Sequence, residues 1–189
     1  IKSRDLSNAS LVDLGCGDFN VGRSIASMVS SYHGIDIDTN LIQYNTTNFS
    51  NEYVKFSTIN AVKDQLPAGD ICIVRQVFQH LSNDEISLIL KKLTQYKLVI
   101  VTEHHPLASD VIIRNQDIKT GAGTRVEHKS GVYLEYPPFC IDENQINFCK
   151  SIPITNQTLE RNCGCLDTYV YEPSATNSDH QSSSFSQIP

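Results

Sequence analysis

The segment LVDLGCGDFN at residues 11–20 constrains the fold more than any other part of the chain. It places an apolar strand directly before a turn with glycines at Gly15 and Gly17, and a helical pattern follows. Glycine lets the backbone turn tightly and approach a ligand closely, and a helix that starts there presents free N–H groups. Many turns contain two glycines, so the flanking strand and helix carry the inference. Together they indicate a nucleotide pocket in an α/β fold.

A second strand, YHGIDID at residues 32–38, follows the glycine turn and ends in carboxylates. In nucleotide-binding α/β folds, an acidic residue at this place accepts hydrogen bonds from ribose hydroxyls. Asp36 is the better candidate for that role, and Asp38 is more typical of a helix cap. Asn20 stands where the dinucleotide fingerprint has its last glycine, which argues against a dehydrogenase.

Apolar runs and helical periodicity alternate along the first half of the chain, as in a parallel sheet covered on both faces. Ser82 and Glu85 form a capping box that predicts a helix over Asn83–Thr94. A further helix is predicted over 141–150, beginning at Asp142. The remaining expected elements are strands over 54–59, 70–74, 98–102, 152–155 and 166–171, a first helix marked by Val21, Ile25, Met28 and Val29, and a second that begins at Thr39 and carries Leu41, Ile42 and Phe49.

Four motifs stand in a fixed order: VDLGCG at 12–17, GID at 34–36, NA at 60–61 and DICIVRQVFQHL at 70–81. This order resembles that of the class I S-adenosylmethionine (SAM)-dependent methyltransferases of the small-molecule type. The resemblance implies an α/β fold with a doubly wound, mostly parallel, seven-stranded sheet and an antiparallel closing strand. It also implies SAM as the cofactor, with S-adenosylhomocysteine as its product.

The resemblance further implies which residues bind the cofactor. Asp13 is expected to orient the cofactor's amino group or, alternatively, to brace the glycine turn. Two positions depart from the family pattern: Asn60 replaces a frequent acidic residue, and Phe19 stands where many relatives carry a third glycine. The predicted cofactor-binding residues are Asp13, Gly15, Cys16, Gly17, Asp36, Ile37, Asn60, Ala61, Arg75 and Gln76.

Candidate catalytic residues follow the fourth and fifth strands, where an acceptor would lie. His80 follows the fourth strand, and Glu103, His104 and His105 follow the fifth. A base is needed if the acceptor is a hydroxyl or a charged amine. Glu103 could hold an imidazole in one tautomer and leave His104 or His105 as the base, although a single histidine is more often structural.

The segment 106–140 lacks clear periodicity, and long irregular insertions of this kind often form binding loops or lids. We therefore expect an insertion that covers the open end of the site, with Arg125, Tyr133 and Tyr136 selecting the acceptor. Arg125 suits a carboxylate or phosphate substituent. Residues 1–173 are predicted to form a single domain and 174–189 a flexible tail.

Charge, apolar runs and cysteine content indicate which partners and compartments suit this chain. The chain has 189 residues and a formal net charge of −6, which makes nucleic acid an unfavourable partner because no basic run is present. No apolar run is long enough for a membrane span. The six cysteines do not require a disulfide framework in a chain of this size, which favours a reducing cytoplasm. The start at Ile1 suggests a trimmed chain. Cys163-Gly-Cys165 lacks the second pair of a zinc site, so no metal is expected.

The leading hypothesis is a SAM-dependent methyltransferase that acts on an oxygen or nitrogen of a small-molecule acceptor. A protein or RNA methyltransferase shares the cofactor and differs in its partner. A non-catalytic SAM-binding or scaffold protein of the same fold is the alternative from a different class.

Overall fold

A computed structural model describes residues 5–154 and 164–173, and within them seven strands form one sheet in the order β3-β2-β1-β4-β5-β7-β6. The first five strands run parallel, whereas β7 is antiparallel to both β5 and β6. This is the predicted doubly wound sheet with antiparallel closing strands. The strands are β1 Ser10–Leu14, β2 Ser31–Asp36, β3 Val54–Thr58, β4 Ile71–Arg75, β5 Leu98–Pro106, β6 Ile146–Ile154 and β7 Gly164–Tyr171, and the helices are α1 Gly22–Ala26, α2 Thr39–Phe49 and α3 Asn83–Leu93.

The sheet is covered on both faces, so most residues of its central strands are apolar. Val12 and Leu14 of β1 pack with the apolar stripe of α3 on one face. Leu11 packs on the other face with Phe19, Tyr32 and other buried residues. Strand order reverses between β1 and β4, which opens a crevice at the carboxyl ends of these strands.

The predicted capping box of α3 is confirmed, since Ser82 and Glu85 bond reciprocally at its N-terminus. The Asp38 side chain caps α2 by accepting from the N–H groups of Asn40 and Leu41. The first helix is shorter than its apolar pattern suggested, and Met28 is 60% exposed beyond its end.

The predicted helix over 141–150 is wrong. Asp142 starts a turn, in which its carboxylate accepts from the N–H of Asn144 at 2.9 Å. Strand β6 then begins at Ile146 and pairs along its length with β7. Long-range strand pairing outweighs a weak local helical pattern here. Of the predicted positions, Thr155, Cys163 and the tail 174–189 lie outside the described residues.

The insertion 106–140 is irregular, as predicted, with 3-10 turns at Ala108–Asp110 and Arg125–His128. Among the described residues, no helix has the length and apolarity to cross a membrane. Across 5–154 and 164–173, no group of three His, Cys, Asp or Glu side chains is arranged to hold a metal ion. Cys16, Cys72, Cys140 and Cys165 are free thiols.

Candidate active site

The glycine turn after β1 adopts the left-handed backbone that its sequence predicted. Gly15 and Gly17 have φ angles of 75° and 56°. A Cβ atom added to Gly15 would collide with Val77, whereas one added to Gly17 would meet no protein atom within 4 Å. Gly15 therefore permits close packing against the turn after β4, and Gly17 borders open space.

A cavity of about 410 Å³ lies at the carboxyl ends of β1, β2 and β4. Eight of the predicted site residues line it: Gly15, Asp36, Ile37, Asn60, Ala61, Arg75, Gln76 and His80. The cavity has the size and largely apolar lining of a small-molecule site. The fold thus brings together residues that are up to 65 positions apart in sequence, from Gly15 to His80.

The Asp36 carboxylate lines the cavity and can accept more hydrogen bonds than it makes within the protein. Its Oδ2 accepts from the N–H of Gly17 at 3.1 Å, and its Oδ1 accepts from the N–H of Asp38 at 3.0 Å. Each carboxylate oxygen has two lone pairs. One lone pair on each oxygen therefore remains for a pair of ligand hydroxyls.

Asp13 and Cys16 lie in the core behind the turn and do not line the cavity. The Asp13 carboxylate accepts from the Tyr32 hydroxyl at 2.5 Å. Burial raises the pKa of Asp13 more than the bond from Tyr32 and the charge of Arg75 lower it. Burial likewise raises the pKa of the Cys16 thiol to about 12. The Asp13 carboxylate is thus held by Tyr32 of β2, and a direct cofactor contact from Asp13 or Cys16 is not supported. The alternative in which Asp13 braces the glycine turn stays a prediction.

Asn60 lines the cavity, but its amide oxygen is already used. This oxygen accepts from the N–H groups of Val62 and Lys63 at 3.0 and 3.2 Å, which occupies both lone pairs. This oxygen therefore has no lone pair left to accept a hydrogen bond from a ligand. Lys92 holds the same segment from α3, because its Nζ donates to the carbonyls of Ala61, Val62 and Asp64.

The turn after β4 supplies another wall of the cavity. Gln76 has a φ of 56°, an unfavourable value for a residue with a side chain, and its N–H donates to the Thr102 carbonyl at 2.8 Å. Backbone strain of this kind concentrates at functional sites. The turn continues into the 3-10 turn Phe78–His80.

Glu103 is 1% exposed. Its carboxylate bonds to this turn and not to a histidine ring. Its Oε1 accepts from the N–H groups of Val77 and Phe78 at 3.1 and 2.9 Å, and its Oε2 accepts from the N–H of Gln79 at 3.1 Å. Burial raises the pKa of Glu103 to about 7, against the lowering effect of these bonds and of His105. The prediction that Glu103 orients an imidazole base is wrong, because its oxygens face backbone N–H groups.

His80 is the one predicted base that lines the cavity in the part of the chain the structure describes. Its Nδ1 lies 3.1 Å from the carbonyl oxygen of Gly123. A carbonyl only accepts, so Nδ1 carries the proton and Nε2 of the neutral ring keeps its lone pair. This lone pair accepts from the Gln79 amide nitrogen, which lies 3.3 Å from Nε2.

His105 and His104 lie away from the cavity, so neither is placed to be the base. His105 is almost fully buried, with Nδ1 2.9 Å from Asp167 and Nε2 2.8 Å from the carbonyl of Val132. It anchors the insertion to β5, and its ring stacks on Tyr133 with centroids 4.5 Å apart. His104 points to the opposite face of β5, and burial, with a smaller effect from His105, lowers its pKa.

The prediction that three residues of the insertion select the acceptor is not supported, because none of them lines the cavity: Arg125, Tyr133 and Tyr136. Arg125 is fully buried, and its guanidinium donates to the carbonyls of Gln116 and of Leu81, the latter at 2.6 Å. Burial lowers its pKa. The Tyr136 ring lies under the guanidinium of Arg114 at 4.5 Å. These residues hold the insertion together and fasten it to the turn after β4.

The insertion reaches the cavity through residues that the sequence analysis missed. Thr120 and Gly121 line the cavity opposite the glycine turn. The Thr120 hydroxyl donates to the Glu85 carboxylate, and the N–H of Gly121 donates to the His80 carbonyl at 3.0 Å. Glu85 itself lines the cavity. Its capping-box spacing marked it only as a helix residue, and no local signal links it to Thr120.

The residues of the cavity fit SAM. Of the two turn glycines, Gly15 lines the cavity, whereas the predicted cofactor-binding residue Gly17 does not and borders open space beside the turn. The Asp36 carboxylate keeps acceptor capacity for two ribose hydroxyls, and the apolar Ile37 and Val77 line the same cavity, as a purine ring requires.

Comparisons with known proteins agree with this arrangement. The family model described as a methyltransferase domain matches residues 12–96. No curated protein matches the chain. A SAM-dependent methyltransferase from Methanosarcina mazei is 14% identical, with a TM-score of 0.57 over 88% of this chain and 93% of its own. A SAM-dependent methyltransferase from Mesorhizobium loti is 11% identical, with a TM-score of 0.57 over 89% and 93%. Human N-acetylserotonin methyltransferase in complex with SAM is 16% identical, with a TM-score of 0.57 over 89% and 49%.

The sheet order and the similarity to these solved structures define a Rossmann-like fold of the methyltransferase type. The family match includes the glycine turn, Asp36 and the turn after β4, so the part of the chain that builds most of the cavity resembles a methyltransferase domain.

Proposed function

We propose that this enzyme transfers a methyl group from SAM to an oxygen or nitrogen of a small-molecule acceptor, with His80 as the general base. The observation that carries the proposal is the hydrogen bond between His80 Nδ1 and the Gly123 carbonyl at 3.1 Å. That bond keeps the ring proton on Nδ1, so Nε2 is the basic nitrogen of a histidine that lines the cavity. The Gln79 amide donates to Nε2 and must turn away when an acceptor takes its place.

When bound, SAM supplies a methyl group on a positively charged sulfur that is open to in-line displacement. The protein then contributes alignment and a shaped cavity from which water is excluded. His80 Nε2 takes the proton that a hydroxyl or ammonium acceptor must lose. Asp36 and the glycine turn hold the ribose and methionine parts of the cofactor.

A small acceptor is supported by the way in which the insertion closes the cavity. Thr120 and Gly121 take part in its wall, and Gly121 is bonded to the residue that carries the base. The net charge of −6 disfavours RNA as the acceptor. We propose that the segment 106–140 acts as a lid, in which case its amide hydrogen exchange slows when SAM and acceptor bind.

The experiment combines an acceptor screen with variants of His80. The protein is incubated with methyl-labelled SAM and a panel of small hydroxyl, phenol and amine compounds, alongside protein and RNA acceptors. With the best acceptor, His80→Gln should lower turnover by about 10²–10⁴-fold and leave the affinity for S-adenosylhomocysteine nearly unchanged.

His33→Gln is the matched control, since this histidine is partly buried, bonds to Ser57 and does not line the cavity. It should retain turnover within a few fold. Methylation of protein or RNA alone would overturn the small-molecule assignment. Turnover by His80→Gln within a few fold of wild type at every pH would overturn the assignment of the base.

A further inference from the structure

We infer that Glu103 is a positioning residue of the cofactor cavity: its buried carboxylate fixes the turn after β4, and so the wall that meets the cofactor. The inference rests on the proposed function only in taking this cavity as the SAM site. It concerns a residue that does not line the cavity and acts through the backbone of Val77, Phe78 and Gln79.

The Glu103 carboxylate makes three hydrogen bonds to one turn. Three successive N–H groups converge on Glu103, which holds them from the neighbouring strand β5. These N–H groups begin a 3-10 turn, where the first donors have no partner within the turn itself. A carboxylate that accepts several backbone N–H groups makes short, charge-assisted bonds. Without it, buried donors would be left unpaired.

The turn that Glu103 holds forms one wall of the cavity. Four residues of this turn and its ends line the cavity: Gln76, Val77, His80 and Leu81. Gln76 has a positive φ, a conformation that persists only where the surrounding structure enforces it. The bonds from Glu103 to the next three residues supply that constraint. The position of the cavity wall therefore depends on a side chain outside the cavity.

The ionisation of Glu103 affects how firmly it holds the turn. The charged groups that face Glu103 are His105 on the same strand and Arg125 from the insertion. Burial raises the pKa of Glu103 to about 7, while the three backbone bonds and these two groups favour the ionised carboxylate. The ionised form accepts all three N–H bonds most strongly. Protonation near neutral pH should loosen the turn, which links the ionisation of Glu103 to the shape of the cavity.

The experiment measures binding of S-adenosylhomocysteine by calorimetry between pH 5.5 and 8.5, together with hydrogen exchange of the turn amides. Glu103→Gln keeps the shape of the side chain, but one end of the amide becomes a donor that faces a backbone N–H. This variant should bind S-adenosylhomocysteine about tenfold more weakly at pH 8, as expected for a lost hydrogen bond to a charged group. Exchange should accelerate at Val77, Phe78 and Gln79.

The pH profile separates positioning from general stability. In wild type, affinity should fall as the pH decreases through about 7, and in Glu103→Gln this component should be absent. His80→Asn should retain it, which distinguishes Glu103 from a histidine that titrates in the cavity. Asp70→Asn is the matched control, because Asp70 also accepts from backbone and side-chain donors but lies at the other end of β4. It should leave affinity and turn exchange unchanged.

Wild-type affinity and turn exchange, corrected for intrinsic rates, can be compared between pH 6 and 8 even if Glu103→Gln fails to fold. Equal affinity in wild type and Glu103→Gln with the same pH profile would overturn the inference, as would unchanged exchange at the three amides. Failure of the proposed function has a different signature. If the cavity is not the SAM site, S-adenosylhomocysteine does not bind wild type at any pH, while exchange at the three amides still responds to Glu103→Gln. If only the base is misassigned, turnover does not depend on His80 and both measurements stay as expected.

Discussion

The ring of Phe19 packs edge-on against the ring of Phe56, with centroids 4.9 Å apart and ring planes at 86°. Phe19 stands at the third position of the glycine turn and has a φ of 63°, the left-handed conformation that glycine adopts without cost. Its ring is buried against Tyr32, Phe49 and Phe56. The departure from glycine therefore keeps the shape of the turn and adds an aromatic anchor beneath it.

Replacement of Phe19 should reveal both effects. Phe19→Ala should lower the free energy of unfolding by about 3–5 kcal/mol, because a buried ring is lost. Phe19→Gly loses the same ring but relieves the unfavourable φ, so it should be about 1 kcal/mol more stable than Phe19→Ala. Urea unfolding measures both values.

Phe56 provides the control, because it lies in the extended strand β3. There the order should reverse, with Phe56→Gly less stable than Phe56→Ala by about 0.5–1 kcal/mol. If glycine were also the less stable replacement at position 19, strain at Phe19 would be excluded.

Asp36 is expected to carry much of the cofactor affinity. Asp36→Ala removes an acceptor for the ribose hydroxyls, so calorimetry should show binding of S-adenosylhomocysteine weakened by about 10- to 150-fold, as hydrogen bonds to charged groups imply. Asp38→Ala removes a nearby carboxylate that only caps α2. This control should cost about 1 kcal/mol of stability and leave affinity within a few fold. Equal losses of affinity in the two variants would contradict the role of Asp36.

The sequence was most informative where a pattern is local. Gly15, Gly17 and Asp36 could be predicted because strand, turn and strand-end spacing determine their geometry within one β-α-β unit. The capping box of α3 was predictable for the same reason. In each case the partner groups lie within about one structural unit of each other.

Prediction failed where a side chain finds its partner far along the chain. Glu103 and His105 were expected to follow the predicted strand 98–102, but both lie within β5. His105 bonds to Asp167 and Glu103 bonds to the turn after β4, so neither is available for the predicted role. The helical pattern over 141–150 does not produce a helix, because residues from Ile146 onward pair with β7, which lies further along the chain. Such contacts depend on the assembled sheet, and no spacing in the sequence encodes them.

Arg125 should prove structural when it is replaced. Arg125→Ala removes a buried guanidinium that joins the insertion to the Leu81 carbonyl, so the free energy of unfolding should fall by about 3 kcal/mol. Arg125→Lys should recover little of this loss, because one ammonium cannot reproduce the planar donor geometry. If the acceptor KM rose in both variants while urea unfolding stayed unchanged, Arg125 would instead be a substrate-binding residue.

The pH dependence of stability should identify Glu103. Burial raises its pKa to about 7 from the ordinary value of 4.5, so the folded protein retains this proton at pH values where the unfolded chain has lost it. The unfolded state then binds fewer protons, and stability falls as pH rises from about 4.5 to about 7. The difference amounts to about 3 kcal/mol, fully present below the lower value and lost above the upper one. Subtracting the stability curve of Glu103→Gln from that of wild type between pH 4 and 9 isolates this contribution. A flat difference curve would show that Glu103 keeps an ordinary pKa and is ionised throughout.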